Sequence, residues 1–304
     1  MKKAIKYYYN INVDNIHQYK NEYKFKINDR EYILYPCIYT LEELEEKYQL
    51  QIYINSLGIK CHRIIKNIGN ELITLINNKR YVLIETYIEN RVINKNDILL
   101  FLNIQVNADV FKRINRINWN KLWESKIDYI EYQISQFGKK YPTIRESIDY
   151  YIGIAENCIS LLSNIEIKSP IISCMHNRVN PKTTSIEFYN PLNFVIDKRV
   201  RDIGEYLKNK LYEDTDITIQ INNILKDNYF SEDEIFLLFI RILYPSNYFD
   251  ICEKIIETNT GQEILIKLLN EIEIYENNIK EIYKYIKKMI TIPEIEWLSQ
   301  IKQY

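Results

Sequence analysis

Ile172-Ser173-Cys174-Met175-His176-Asn177-Arg178 opens the stretch that decides the fold, which continues through Asn193-Phe194-Val195-Ile196-Asp197 to Arg201-Asp202-Ile203-Gly204-Glu205-Tyr206-Leu207. Ile171 to Met175 reads as a short apolar strand, and Ile186 to Ile196 as a second that delivers a carboxylate at Asp197. Asp202 then opens a helix predicted to run to Leu211, where an acidic side chain suits the N-terminal turn. Strand, polar loop, strand and helix follow one another within forty residues, punctuated by His176, Asp197 and Asp202.

Working outward, the N-terminal third is rich in period-two patterns. Glu22 to Ile27 and Arg30 to Tyr35 alternate polar and apolar residues around the turn pair Asn28-Asp29, which predicts a hairpin. Thr40-Leu41-Glu42-Glu43 has the spacing of a capping box, and it starts a helix ended by Gly58 with Leu41, Leu44, Tyr48, Ile52 and Leu57 on one face. Strands follow at Glu71 to Ile76 and Arg80 to Tyr87, joined by Asn77-Asn78-Lys79. Beyond about Asn90 the pattern is helical: Leu122 to Phe137, Ile144 to Leu162, Asp233 to Leu243, Asn247 to Ile256, Gln262 to Met289, and a short helix near Trp297. This layout predicts an α+β, bilobal, protein-kinase-like fold, with a strand-rich N-lobe over 1–90 and a helical C-lobe over 91–304.

Composition narrows the function classes. The chain has 40 basic and 41 acidic residues among 304, spread along its length, so no basic face advertises nucleic-acid binding. Its five cysteines, Cys37, Cys61, Cys158, Cys174 and Cys252, are odd in number and far apart. That predicts reduced thiols, with neither a disulfide framework nor a zinc site. Met1-Lys2-Lys3-Ala4-Ile5-Lys6 lacks the apolar run of a signal peptide, and Ile235 to Leu243 is short for a membrane span and carries Arg241, so cytoplasmic synthesis is expected. The 27 tyrosines, with abundant Ile, Asn and Lys, fit the codon bias of an AT-rich genome; oxidative cross-linking in an assembled structure is the sharper reading.

The central stretch resembles aminoglycoside-phosphotransferase-like kinases, in which an apolar strand leads into His-x-Asp, a hairpin delivers Asp, and a second Asp opens a helix. More specific strings are similar to the spore coat protein YutH family, related to the CotS group. These are Leu122-Trp123-Glu124, Tyr150-Tyr-Ile-Gly-Ile-Ala-Glu-Asn157, Val195-Ile-Asp-Lys-Arg-Val-Arg-Asp202 and Arg241-Ile-Leu-Tyr-Pro-Ser-Asn-Tyr-Phe249. In order and spacing they cover roughly residues 30 to 260. The resemblance implies an endospore-forming bacterium, a place in the spore coat and a kinase-like fold.

It also implies a phosphotransfer site that this sequence fills poorly. Phosphoryl transfer from ATP is mostly positioning and charge neutralisation. No glycine precedes Gly58, so a glycine-rich loop over the phosphates is missing. The strand due to carry the phosphate-holding lysine reads Tyr32-Ile33-Leu34-Tyr35-Pro36; Lys24 and Lys26 on the preceding strand either substitute or are simply solvated. Arg178 stands where the family places the acceptor-orienting aspartate, and a guanidinium stays protonated and inverts the charge. Thr183 takes the place of the metal-binding asparagine counted from His176, which leaves Asp197 as the one metal carboxylate. His176 is expected as a buried, hydrogen-bonded core residue rather than a base, and Asp202 as a helix cap or a partner of neighbouring backbone. Arg178, Lys198, Arg199 and Arg201 either form an anion-binding cluster or are solvated, and Trp119 with Trp123 is expected to pack the lobes together. The apolar stripe Ile264, Leu268, Ile272, Tyr275, Ile279, Ile282 and Ile286 is core by default, with a partner interface as the alternative. The expected function is a pseudokinase of the spore coat that binds other coat proteins and needs no cofactor. The alternative is an active or nucleotide-sensing phosphotransferase using Mg·ATP, with an unknown small molecule or a coat protein as substrate.

Overall fold

A computed structural model describes residues 1–28, 30–168 and 170–299, and the chain divides into two compact units. One comprises Met1–Asn115 with Ile172–Arg199; the other comprises Arg116–Ile171 with the chain from Val200 onward.

The first unit opens on a helix, α1 (Lys2–Tyr9), where the sequence pattern predicts none. Ile5 and Tyr9, one turn apart, are buried in a cluster with Phe25, Leu34, Ile76, Tyr81 and Leu83, and Lys2, Lys3 and Lys6 remain exposed. Packing of one narrow face therefore makes the helix. An antiparallel sheet follows, built from β1 (His17–Tyr19), β2 (Glu22–Ile27), β3 (Arg30–Pro36), β4 (Arg63–Ile65), β5 (Thr74–Ile76) and β6 (Lys79–Glu85). Its order is β1-β2-β3-β6-β4, with β5 also paired to β6. The expected β2–β3 hairpin is present, pairing Phe25 with Tyr32 and Ile27 with Arg30. Asn28 takes φ 46°, and its partner in the predicted turn, Asp29, lies outside the described residues. Between β5 and β6, Ile76 faces Lys79, which leaves Asn77 and Asn78 as a two-residue turn at φ 50° and 61°. Both angles lie in the left-handed region that tight hairpins need and asparagine tolerates.

Helix α2 (Leu41–Ser56) begins with the predicted capping box: Glu43 N–H donates to Thr40 Oγ1 and Thr40 N–H donates to Glu43 Oε2. The predicted inner face, however, is largely the outer one. Leu41, Ile52 and Leu57 are exposed, while Leu44, Lys47, Leu50, Gln51 and Ile54 are buried. Two long polar side chains join the core because each finds a backbone partner. Lys47 Nζ donates to the Phe194 carbonyl at 2.6 Å, and Gln51 Oε1 accepts from Ile64 N–H at 2.7 Å. The unit is completed by α3 (Lys95–Phe101), the two-stranded β7 (Ile172–His176) and β8 (Phe194–Lys198), and the short α6 (Ser185–Phe188) between them. Residues 186–196, read from sequence as one strand, are thus a helical turn, a 3-10 turn at Pro191–Asn193 and only then β8. Thr184 with Glu187 forms a capping box, and Pro191 cannot donate to a ladder.

The second unit is helical: α4 (Trp119–Phe137), α5 (Pro142–Ser163), α7 (Arg201–Lys208), α8 (Ile217–Asp227), α9 (Glu232–Leu243), α10 (Ser246–Thr258), α11 (Glu263–Asn270), α12 (Ile272–Lys287) and α13 (Glu296–Ser299). Its centre is α9, where every residue from Glu234 to Leu243 is buried. The run Glu232–Thr258 contains an 18-residue window apolar enough to cross a membrane, but 78% of that window is buried inside the protein. Pro245 interrupts the run between α9 and α10. Several of the abundant tyrosines are core residues here: Tyr151 stacks on Tyr248 at 3.7 Å, and Tyr275 takes the half-buried Tyr212 against it at 4.8 Å. All five cysteines are free thiols, and four of them are buried.

Candidate functional site

The stretch that decides the fold becomes an antiparallel pair in which Ser173 faces Asp197, Cys174 faces Ile196 and His176 faces Phe194. Ser173 anchors β7 beneath α3, its hydroxyl lying 2.6 Å from the Ile104 carbonyl and 3.0 Å from that of Phe101. His176 is 1% exposed and sits in an aromatic nest. Its ring stacks on Phe188 at 3.8 Å and meets Phe101 and Phe194 edge-on at 4.7 and 5.4 Å. Those contacts fix the imidazole as part of the core.

The loop after β7 is held by backbone and side-chain hydrogen bonds together. Asn177 N–H donates to the Asn193 carbonyl at 2.7 Å, and Arg178, exposed, donates from its guanidinium to the Asn177 carbonyl at 3.2 Å. Thr183 is buried, and its hydroxyl accepts from Asn180 N–H at 2.9 Å. Its own carbonyl accepts from Ile93 N–H at 3.0 Å. Ser185 Oγ donates to the Glu89 carbonyl and accepts from Arg91 N–H, which stitches the loop to the segment before α3. Beneath this lies Asp97, gripped by both terminal nitrogens of Arg91 at 2.8 and 2.5 Å and by the Tyr189 hydroxyl at 2.6 Å. Burial pushes the Asp97 carboxyl up, but Arg91, Tyr189 and the Asn94 N–H outweigh it and leave it below the usual carboxylate range.

Asp197 is fully buried on β8, with Oδ1 accepting from Lys198 N–H at 2.7 Å. Lys47 reaches the first residue of the same strand, its ammonium 4.8 Å from the centre of the Tyr39 ring. The strand β3 contributes a phenol instead of a cation: burial raises the pKa of Tyr35 above the ordinary range. Lys24 lies 3.9 Å from Glu22, and Lys26 is exposed. The turn between β1 and β2 consists of Lys20 and Asn21 alone, since Tyr19 pairs with Glu22. Among the described residues no group of three or more His, Cys, Asp and Glu side chains is placed to hold a metal ion.

The hairpin thus gathers His176, Arg178, Thr183 and Asp197 in one unit. Asp202 lies in the other and is not the helix cap the sequence predicts. Val200 is the cap of α7, and Asp202 is buried in the first turn, where a carboxylate suits the helix dipole. Sequence reasoning missed Lys47 and the Asp97 clamp. The signal for Lys47 was its place between Leu44, Leu50 and Ile54, a helical face that includes one cation. It also missed an ionic knot in the helical unit. Glu205 accepts from Arg241 Nε at 2.7 Å and Lys208 Nζ at 2.8 Å, and Lys208 also donates to Ser246 Oγ. Burial pushes the Glu205 carboxyl up, and the charges of Arg241 and Lys208 more than offset it, so it ionises well below the usual range. Arg241 lies 5.1 Å from the Trp119 ring, which stacks on Trp123. A Cβ on Gly204 would stand 2.7 Å from Arg241 Cγ, so the arginine needs glycine there.

A family model described as "Spore coat putative kinase YutH" matches residues 2–288. The chain belongs to this family. A relative in Bacillus subtilis (strain 168), the endospore coat-associated protein YutH, is 27% identical over 214 residues, which are 60% of this chain. The match spans 61% of that relative's length. Among solved structures, an aminoglycoside phosphotransferase from Alicyclobacillus acidocaldarius has a TM-score of 0.67 at 10% identity, covering 95% of this chain and 97% of its own. A spectinomycin phosphotransferase in complex with ADP and spectinomycin has a TM-score of 0.57 at 13% identity, with 95% and 93% covered. The family's fold in this chain is therefore the aminoglycoside-phosphotransferase, kinase-like one, with a small antiparallel-sheet lobe and a mostly helical lobe.

Proposed function

We propose that this chain is a catalytically degenerate kinase-like protein of the spore coat, which needs no nucleotide or metal and works by binding other coat proteins. The observation that carries the reading is the loop after β7. An exposed guanidinium, Arg178, stands where the resemblance to kinase-like enzymes puts the acceptor-orienting aspartate, and the Thr183 hydroxyl already accepts one hydrogen bond, from Asn180 N–H. Arginine offers donors and no acceptor, so it cannot take the proton of an attacking hydroxyl. The two-residue β1–β2 turn supports the same reading, since it is too short to fold over a triphosphate and has side chains where backbone amides would approach phosphate. A coat location is supported by the family and by the name of the B. subtilis relative.

Thermal unfolding with increasing ATP, with and without Mg²⁺, tests the proposal. A ligand that binds the folded form stabilises it by about 4 kcal/mol at a thousand times Kd, and so raises Tm in step with its concentration. The expected result is a Tm unchanged by nucleotide. A rise that scales with Mg·ATP, together with phosphate transfer abolished by Asp197→Ala, would make the chain a phosphotransferase; a rise without turnover would make it a nucleotide sensor.

A further inference from the structure

The apolar stripe from Ile264 to Ile286 does not stay on one face. Its helix breaks after Asn270, where Glu271 N–H turns back to the Leu268 and Leu269 carbonyls. Helix α12 carries its share of the stripe inward, burying Tyr275, Ile279, Ile282 and Ile286. Helix α11 buries Leu265 instead, which leaves Ile264 59% exposed. Ile264 and Leu268 line an open groove of about 720 Å³ together with Ile251 of α10 and Ile274 of α12.

The groove is also acidic. Glu213, Asp214 and Glu271 line it against one lysine, Lys267, and a fourth carboxylate, Asp250, lies 3.9 Å from the ammonium of Lys126. Its far wall is preformed: Asn278 Nδ2 donates to the Leu211 and Glu213 carbonyls at 2.9 and 3.0 Å, and Tyr212 stacks on Tyr275. Helix α11 is about 12 Å long, so the groove suits two turns of a helix better than one small cation.

We infer that this groove docks a basic amphipathic segment of a partner protein. Its apolar side chains lie on Ile251, Ile264, Leu268 and Ile274, and its lysines or arginines face Glu213, Asp214 and Glu271. Burial of the apolar face supplies most of the affinity, and the charges select the partner and speed its arrival. The inference rests on the binding role proposed above and names its surface.

The test uses the full chain and a fluorescein-labelled 18-residue Lys/Leu peptide with one apolar helical face, titrated by anisotropy. A scrambled peptide of the same composition keeps the charge and loses the face. The amphipathic peptide is expected to bind at least about tenfold more tightly than the scrambled one. Ile264→Asp and Glu271→Lys should each weaken it about tenfold, while Ile219→Asp, an equally exposed isoleucine on α8, should not. Unchanged affinity in Ile264→Asp and in the double variant Asp214→Asn/Glu271→Gln, or equal binding of both peptides, overturns the proposal. So does concentration-dependent dimerisation in sedimentation that Ile264→Asp abolishes, because the groove then belongs to a second copy. The nucleotide titration separates the two readings: a chain that binds Mg·ATP and still takes the peptide here loses only the first, and one inert to nucleotide that ignores the peptide loses only this one.

Discussion

The loop after β7 and the knot around Glu205 both concentrate charge, yet they obey different rules. In the knot, a buried carboxylate faces two buried cations at hydrogen-bonding distance, and a serine hydroxyl shares the contact. Burial leaves no choice there, because an unpaired ion in a protein interior costs several kcal/mol. In the loop, Arg178 is exposed, and the neutral hydroxyls of Thr183 and Ser185 hold the chain, so water screens much of the charge the position carries. A buried charge is thus fixed by folding, whereas an exposed loop charge is fixed only by chemistry that needs it. The loop can lose a carboxylate and keep its shape; the knot cannot.

The knot gives the sharpest contrast. Glu205→Gln keeps the side chain's size but leaves Arg241 and Lys208 buried against a neutral amide. It should cost about 3–5 kcal/mol in urea unfolding at pH 7. A loss under about 1 kcal/mol would show that water reaches the cations, and the division between the two regions would blur.

A second buried group puts pH into the comparison. His62 is fully buried, with Nδ1 accepting from Tyr87 N–H at 3.0 Å, and burial lowers its pKa to about 4 from 6.5. The folded state therefore holds the neutral imidazole while the unfolded chain takes up a proton below pH 6.5. Stability is complete above pH 6.5 and falls as pH drops toward 4, by about 3 kcal/mol at roughly 1.4 kcal/mol per unit. Urea midpoints at pH 7 and pH 4.5 should differ strongly for the parent chain and less for His62→Gln. Equal slopes in both would assign the acid loss to carboxylates.

This distinction also explains what the sequence made legible. The β2–β3 hairpin, the Thr40 capping box and the Asn77-Asn78 turn were readable because each depends on residues a few positions apart. The inner face of α2 was not, because Lys47 and Gln51 are buried with backbone partners at Phe194 and Ile64, one of them 147 positions away. The break at Asn270–Glu271 carries no glycine or proline, and across it the buried residue passes from Leu265 on α11 to Tyr275 on α12. Of the candidate site, the residue types at His176, Arg178, Thr183 and Asp197 came from a motif, while the aromatic nest around His176 and the Asp97 clamp required the folded chain.

The smallest expected effect falls where the chemistry would be. Arg178→Asp restores a carboxylate at the loop position, and because the residue is exposed the stability change should stay within about 0.5 kcal/mol. If that position alone had silenced the site, the variant would regain phosphate transfer. On the proposal above it should not, because the Lys20-Asn21 turn carries no glycine, the Thr183 hydroxyl already accepts from Asn180 N–H, and β3 presents Tyr35 rather than a cation. Catalytic groups that act as a unit do not return one at a time. Measurable ATP turnover by Arg178→Asp, absent from the parent chain, would mean that one charge separates this protein from an enzyme, and the contrast between a freely variable loop and a fixed knot would have to be redrawn.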